Sequence, residues 1–143
     1  MTKTFNILAV ACTVLLAAGC AARAPLAAAA AGGFYTEAQA TRGATLYAEQ
    51  CASCHGEDLT GVADLFPALT GDTFLMTWQG RPMIELFEKV SLTMPALDPG
   101  SLTPEQAADL VAHMLSVSKY TAGTTELASS ADALGAITID APQ

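Results

Sequence analysis

Positive charge is what this chain has least of: 6 Lys and Arg stand against 14 Asp and Glu among 143 residues. A surface that poor in cations cannot neutralise phosphates and release their counterions, which excludes nucleic acid as a partner. It equally excludes electrostatic docking on an anionic membrane surface and favours a protein partner with a basic rim. Period-2 alternation is missing, so no stretch reads as a half-buried strand, and there is no internal repeat. The apolar run Phe5–Ala18, broken by Asn6 and Thr13, falls short of the ~20 residues of a membrane span. What remains is a chain sized for one small domain, read as all α.

The start of the chain reads as an export segment. Lys3 supplies a positive n-region and Phe5–Ala18 the apolar core. Leu16-Ala17-Ala18-Gly19-Cys20 resembles the lipobox of bacterial lipoproteins, in which the Cys is acylated and becomes the mature N-terminus. It departs from the usual pattern because Ala17, not Leu16, stands three residues before the Cys. The alternative is cleavage within the small-residue run Ala27–Ala31. On this reading residues 1–19 are a signal peptide, and 20–33 an Ala-rich tether that reaches about 45 Å when fully extended. The expected location is the periplasm, with any membrane contact confined to a lipid on Cys20.

Cysteine use narrows the chemistry. Four Cys in an exported chain would suggest two disulfides. Cys12 leaves with the apolar run and Cys20 sits at the lipidation site, so only Cys51 and Cys54 remain for a domain over residues 34–120.

Helix signals frame that pair. Thr36-Glu37-Ala38-Gln39 is a capping-box pattern, and Ala40, Ala44, Tyr47 and Ala48 give a narrow packing face that leads into Cys51. Short helices are expected from Asp72 to Gln79 and from Pro82 to Val90, the latter with Pro at its first position. Thr103-Pro104-Glu105-Gln106 is a second capping box, followed by the stripe Ala107, Leu110, Val111, Met114 and Leu115 through about Ser118. Residues 121–143 read as an extended strap over the domain or a partly disordered tail.

Cys51-Ala52-Ser53-Cys54-His55 carries the chemistry. Two thiols separated by two residues on a helix end match the two vinyl groups of one porphyrin edge, and the adjacent His reaches iron along the ring normal. The competing readings are a structural disulfide, a thioredoxin-like pair or half a zinc site. The redox pair needs a βαβ context, and zinc needs more ligands than the other histidine, His113, can add.

From about Thr36 to Tyr120 the chain resembles the class I single-haem cytochromes c. That resemblance implies an all-α fold with crossed N- and C-terminal helices around one covalent haem c. Gly43 and Tyr47 stand where the family has small and aromatic residues at that crossing. In Phe66-Pro67-Ala68-Leu69, Pro67 lies twelve residues after His55, where the family uses a proline carbonyl to accept the imidazole N–H. Thr93-Met94-Pro95 matches its distal ligand loop. His113 departs from the pattern, which commonly has an aromatic there, and as a second axial ligand it would have to cross the helix interface.

Met94 also stands out on its own terms. An electron carrier needs a sixth ligand from the opposite side of the iron, and a thioether raises the potential. Met114 sits on a core stripe and reads as packing, while Met76 and Met83 are expected to line the crevice. Met94 alone precedes a proline, which holds it extended. Phe66, Leu69, Phe74, Trp78, Leu86, Phe87 and Leu97 are expected around the porphyrin, with Trp78 or Arg81 at a propionate.

The function these features imply is one-electron transfer between a dehydrogenase donor and an oxidase or cytochrome acceptor, without catalysis by this chain. Pro-Ala-Leu-Thr-Gly, Trp78-Gln79-Gly80 and the Tyr-Thr-Ala-Gly-Thr-Thr-Glu-Leu segment resemble small cytochromes found with quinoprotein and other alcohol dehydrogenases. The alternatives are a haem enzyme or gas-binding sensor with an open distal site, and an accessory subunit unstable alone.

Overall fold

Thr36 starts the first helix of the computed structural model, which describes residues 33–142. The signal segment, Cys20 and all but the last residue of the tether lie outside those residues. Helix α1 runs Glu37–Gln50, and the Thr36 hydroxyl accepts the Gln39 N–H at 3.1 Å. Only half of the expected capping box forms, because the Gln39 side chain is used elsewhere. Helix α2, Ala52–His55, is a single turn, followed by α3, Gly71–Trp78, and α4, Met83–Thr93. Helix α5 is Pro104–Val117, with a complete capping box between Thr103 and Gln106. A five-residue helix, α6, Ala131–Gly135, closes the chain and was not expected from the sequence.

Among the described residues there is no sheet; backbone pairing outside helices is limited to the bridges Val62–Phe66 and Pro82–Thr138. The architecture is all α, with α1 packed across α5. The crossing is made possible by a missing side chain: a Cβ on Gly43 would lie 1.9 Å from the Asp109 carbonyl oxygen. On the solvent side the Arg42 guanidinium forks onto Asp109 (2.8 Å) and reaches Glu126 (2.9 Å). Such an exposed network contributes little by itself, about 0–1 kcal/mol per pair. The apolar stripe of α5 fills the core with Ala107, Leu110, Val111, Met114 and Leu115, joined by Met83, Leu86, Phe87 and Val90 of α4.

The C-terminal strap is part of that core. Leu127, Leu134 and Ile139 are buried. Gln39, itself buried, clamps the strap with both ends of its amide: Nε2 donates to the Leu127 carbonyl (3.0 Å) and Oε1 accepts the Leu127 N–H (2.7 Å). Further along, the Ile139 N–H donates to the Arg81 carbonyl and the Met83 N–H to Ile137, tying the strap to the α3–α4 turn. At its beginning the Gly123 N–H donates to the Tyr35 carbonyl.

Candidate functional site

Helix α1 delivers its last turn to Cys51, whose N–H still donates to the Tyr47 carbonyl (2.9 Å). Cys51 then serves as N-cap of α2, and its carbonyl accepts the N–H groups of Cys54 (3.1 Å) and His55 (3.0 Å). One helical turn therefore carries both thiols and the imidazole. Gly56 ends it with φ 80 and ψ 152, a conformation open essentially to glycine alone. The Tyr47 hydroxyl donates to the Gly56 carbonyl at 2.6 Å and stitches α1 to this corner; burial pushes its pKa up to about 12.

Cys51 and Cys54 form no disulfide. Burial raises the Cys51 pKa, the opposite of what a reactive thioredoxin-like nucleophile requires. Among the described residues no group of three or more His, Cys, Asp and Glu could hold a metal ion, so the zinc reading has no second half.

His55 is 9% exposed and its orientation is fixed: Nδ1 lies 2.9 Å from the Pro67 carbonyl oxygen. A carbonyl only accepts, so Nδ1 carries the proton and Nε2 is left with its lone pair for a metal. The Phe66 ring stands edge-on to the imidazole, with centroids 6.1 Å apart. A shallow cleft of about 480 Å³ lies beside this loop, lined by Thr60, Leu65, Phe66, Pro67 and Thr73 among others.

Met94 is the C-cap of α4. Its φ of −122 and ψ of 154 are extended, as the following proline requires, and this stops α4 three residues beyond the expected end at Val90. The Met94 side chain is partly buried. The other methionines separate: Met83 and Met114 are core, whereas Met76 is 79% exposed. Met83 thus fills the α4–α5 interior and does not line a crevice. The expected aromatic and aliphatic surround divides as well. Phe74, Leu86 and Phe87 are buried core, Leu69 and Trp78 pack at its edge, and Phe66 and Leu97 are exposed.

Leu65, Phe66, Met76, Leu92 and Leu97 are large apolar side chains left in water. Of these, Leu65 and Phe66 lie in the loop that carries Pro67, beside the His55 imidazole. Paired thiols, an imidazole with Nε2 available and a nearby apolar ring fit a porphyrin. The family described as cytochrome c oxidase, cbb3-type, subunit III matches this chain over residues 38–114. The chain belongs to that family of c-type cytochrome domains.

Membership implies covalently bound haem c and a place in electron transport. Among solved structures, the sulfane dehydrogenase SoxCD from Paracoccus pantotrophus shares 26% identity over 55% of this cytochrome and 43% of that chain, with a TM-score of 0.46. The thiosulfate dehydrogenase TsdBA from Marichromatium purpuratum shares 37% identity over 52% of this cytochrome and 17% of that chain, with a TM-score of 0.44. The cytochrome therefore spans less than half the length of either. No curated protein matches it.

Arg81 of the expected site, and His113, which departs from the family pattern, each have other partners. Arg81 lies 5.1 Å from the Trp78 ring centroid and is ion-paired with Glu85. The His113 ring meets the Tyr47 ring at a tilt of 52° at the α1–α5 crossing, with centroids 5.4 Å apart. Sequence reasoning missed Leu59 and Gly61. Leu59 is buried with φ 63, and its carbonyl accepts the Leu69 N–H at 2.8 Å. Gly61 donates its N–H to the His55 carbonyl at 2.8 Å. The run Gly56–Gly61 between His55 and Pro67 was the available signal.

Proposed function

We propose that this cytochrome is a one-electron carrier holding a single haem through Cys51 and Cys54, with His55 and Met94 as the iron's axial ligands. The haem, when bound, supplies a one-electron iron couple. The chain's residues supply the rest. Cys51 and Cys54 fix one porphyrin edge, His55 presents Nε2 while Pro67 holds Nδ1, and Met94 offers a thioether from a rigid extended position. Trp78 and Arg81 are proposed neighbours of a propionate; Arg81 would share its charge between that group and Glu85. The observation that carries the proposal is the His55–Pro67 hydrogen bond on the turn that bears both thiols.

The same proposal covers location and partners. Residues 1–19 direct export to the periplasm, and acylation of Cys20 anchors the chain there through the tether 20–33. Helix α1, 14 residues or about 21 Å long, then separates the tether's entry at Gly33 from the haem-bearing turn. All 14 acidic residues of the sequence lie in the domain and strap, so the proposed donor and acceptor, a dehydrogenase and an oxidase or cytochrome, carry basic docking faces. Haem staining of a denaturing gel tests the attachment. The wild-type band should stain, Cys54→Ala should stain weakly or not at all, and haem that extracts freely from the wild type into acid-acetone would refute the proposal.

A further inference from the structure

The backbone at Gly61 passes between two parts of the His55 environment. On one side its N–H donates to the carbonyl of His55 itself, 2.8 Å away. On the other it lies directly under the peptide that holds the imidazole. A Cβ on Gly61 would sit 2.4 Å from the Phe66 carbonyl oxygen, 2.7 Å from the Pro67 carbonyl carbon and 2.8 Å from the Ala68 nitrogen. All three are backbone atoms, so no flexible side chain can move aside.

The surrounding loop has little slack. The Asp58 carboxylate accepts from the Thr60 N–H (3.2 Å) and hydroxyl (2.8 Å), which fixes the turn entering Gly61. The buried Leu59 binds Leu69 through its carbonyl, and Val62 and Phe66 exchange two hydrogen bonds of 2.9 Å. The Pro67 carbonyl is therefore held from both flanks, and its distance from His55 Nδ1 is set by what lies beneath it. That is a glycine with φ 71 and no side chain.

We propose that Gly61 is a positioning residue: by its lack of a side chain it sets the length of the His55–Pro67 hydrogen bond and, through the imidazole, the reduction potential of the iron. The inference rests on His55 being an axial ligand. A carbonyl close to Nδ1–H makes the imidazole a stronger donor and favours ferric iron. A side chain at position 61 lifts the peptide away, weakens that donation and raises the potential.

Gly71 provides a matched control, because it has the same φ of 71 but nothing within 4 Å of its would-be Cβ. Gly61→Ala and Gly71→Ala therefore both place a side chain at the same positive φ, and only the first adds the steric wedge. In the holoprotein, spectroelectrochemistry should give a raised potential for Gly61→Ala and an unchanged one for Gly71→Ala. The His55 Nδ1–H proton, followed by NMR, should exchange with solvent slowly in the wild type and roughly tenfold faster in Gly61→Ala, the loss expected of one weakened hydrogen bond. Gly61→Asn presents the same Cβ on a residue that tolerates left-handed backbone and serves if the alanine variant does not fold. Equal potentials in Gly61→Ala and wild type, or rapid Nδ1–H exchange in the wild type, would overturn the proposal. An NMR spectrum without an iron-bound histidine assigned to residue 55 would instead overturn the ligand assignment beneath it.

Discussion

Gly43 of α1 and Asp109 of α5 meet backbone to backbone, so closely that a methyl group on Gly43 would overlap the Asp109 carbonyl oxygen at 1.9 Å. This contact sets how far α1 lies from α5, and α1 ends in the turn that bears Cys51, Cys54 and His55. Gly43→Ala must therefore spread the two helices. Chemical denaturation should show a loss of about 3 kcal/mol or more, at the upper end of overpacking effects. Gly135→Ala, in open space within a short helix, should be neutral or mildly stabilising by comparison.

Gln39 reads in sequence as half of a capping box, and in the structure it holds Leu127, 88 residues away. Gln39→Ala should leave the Leu127 N–H and carbonyl without partners, at about 1–3 kcal/mol per orphaned buried group. Hydrogen exchange should rise across the strap from Gly123 to Ile139 before it rises in α5. Uniform change across the domain would mean that the clamp is only one part of a general core.

His113 predicts a pH dependence. Burial lowers its pKa from 6.5. It faces the Tyr47 ring and Gly43 on α1, while Asp109, one turn earlier on α5, is occupied by Arg42. The unfolded chain thus takes up a proton on this ring at a higher pH than the native protein does. The favourable contribution is intact above about 6.5, declines as pH falls from there to the folded-state pKa, and levels off below it. Urea midpoints at neutral and mildly acidic pH should differ more for the wild type than for His113→Phe. Parallel profiles for the two proteins would contradict this.

The elements that could be read from sequence are those written in short, contiguous patterns. Thr103-Pro104-Glu105-Gln106 marks the start of α5 because every partner lies within one turn. Cys51, Cys54 and His55 identify themselves by spacing, and Met94 by the proline after it. Pro67 was reached through a family spacing, and its carbonyl lies 2.9 Å from His55 Nδ1. What escaped depends on distant backbone. Gln39 could satisfy either its own helix end or a strand of tail, and only tertiary packing chooses. Leu59 adopts a positive φ that its side chain does not advertise, because a buried contact and the Leu69 hydrogen bond offset the strain. Met76 and Met83 look alike in sequence, yet one is 79% exposed and the other wholly buried. Helix α6 is five residues long, too short to show a period.

The axial ligands test the central claim most directly. Absorption and magnetic circular dichroism of the ferric holoprotein should show the weak near-infrared sulfur-to-iron band of thioether ligation, and the ferrous protein should resist carbon monoxide at neutral pH. Met94→Ala should abolish the band, lower the potential and admit the gas. Met114→Ala should keep the band and lose about 2–5 kcal/mol of stability through the buried cavity it leaves. A wild-type protein without the band that binds carbon monoxide rapidly, or a spectrum altered by His113→Ala and not by Met94→Ala, would contradict a carrier ligated by His55 and Met94.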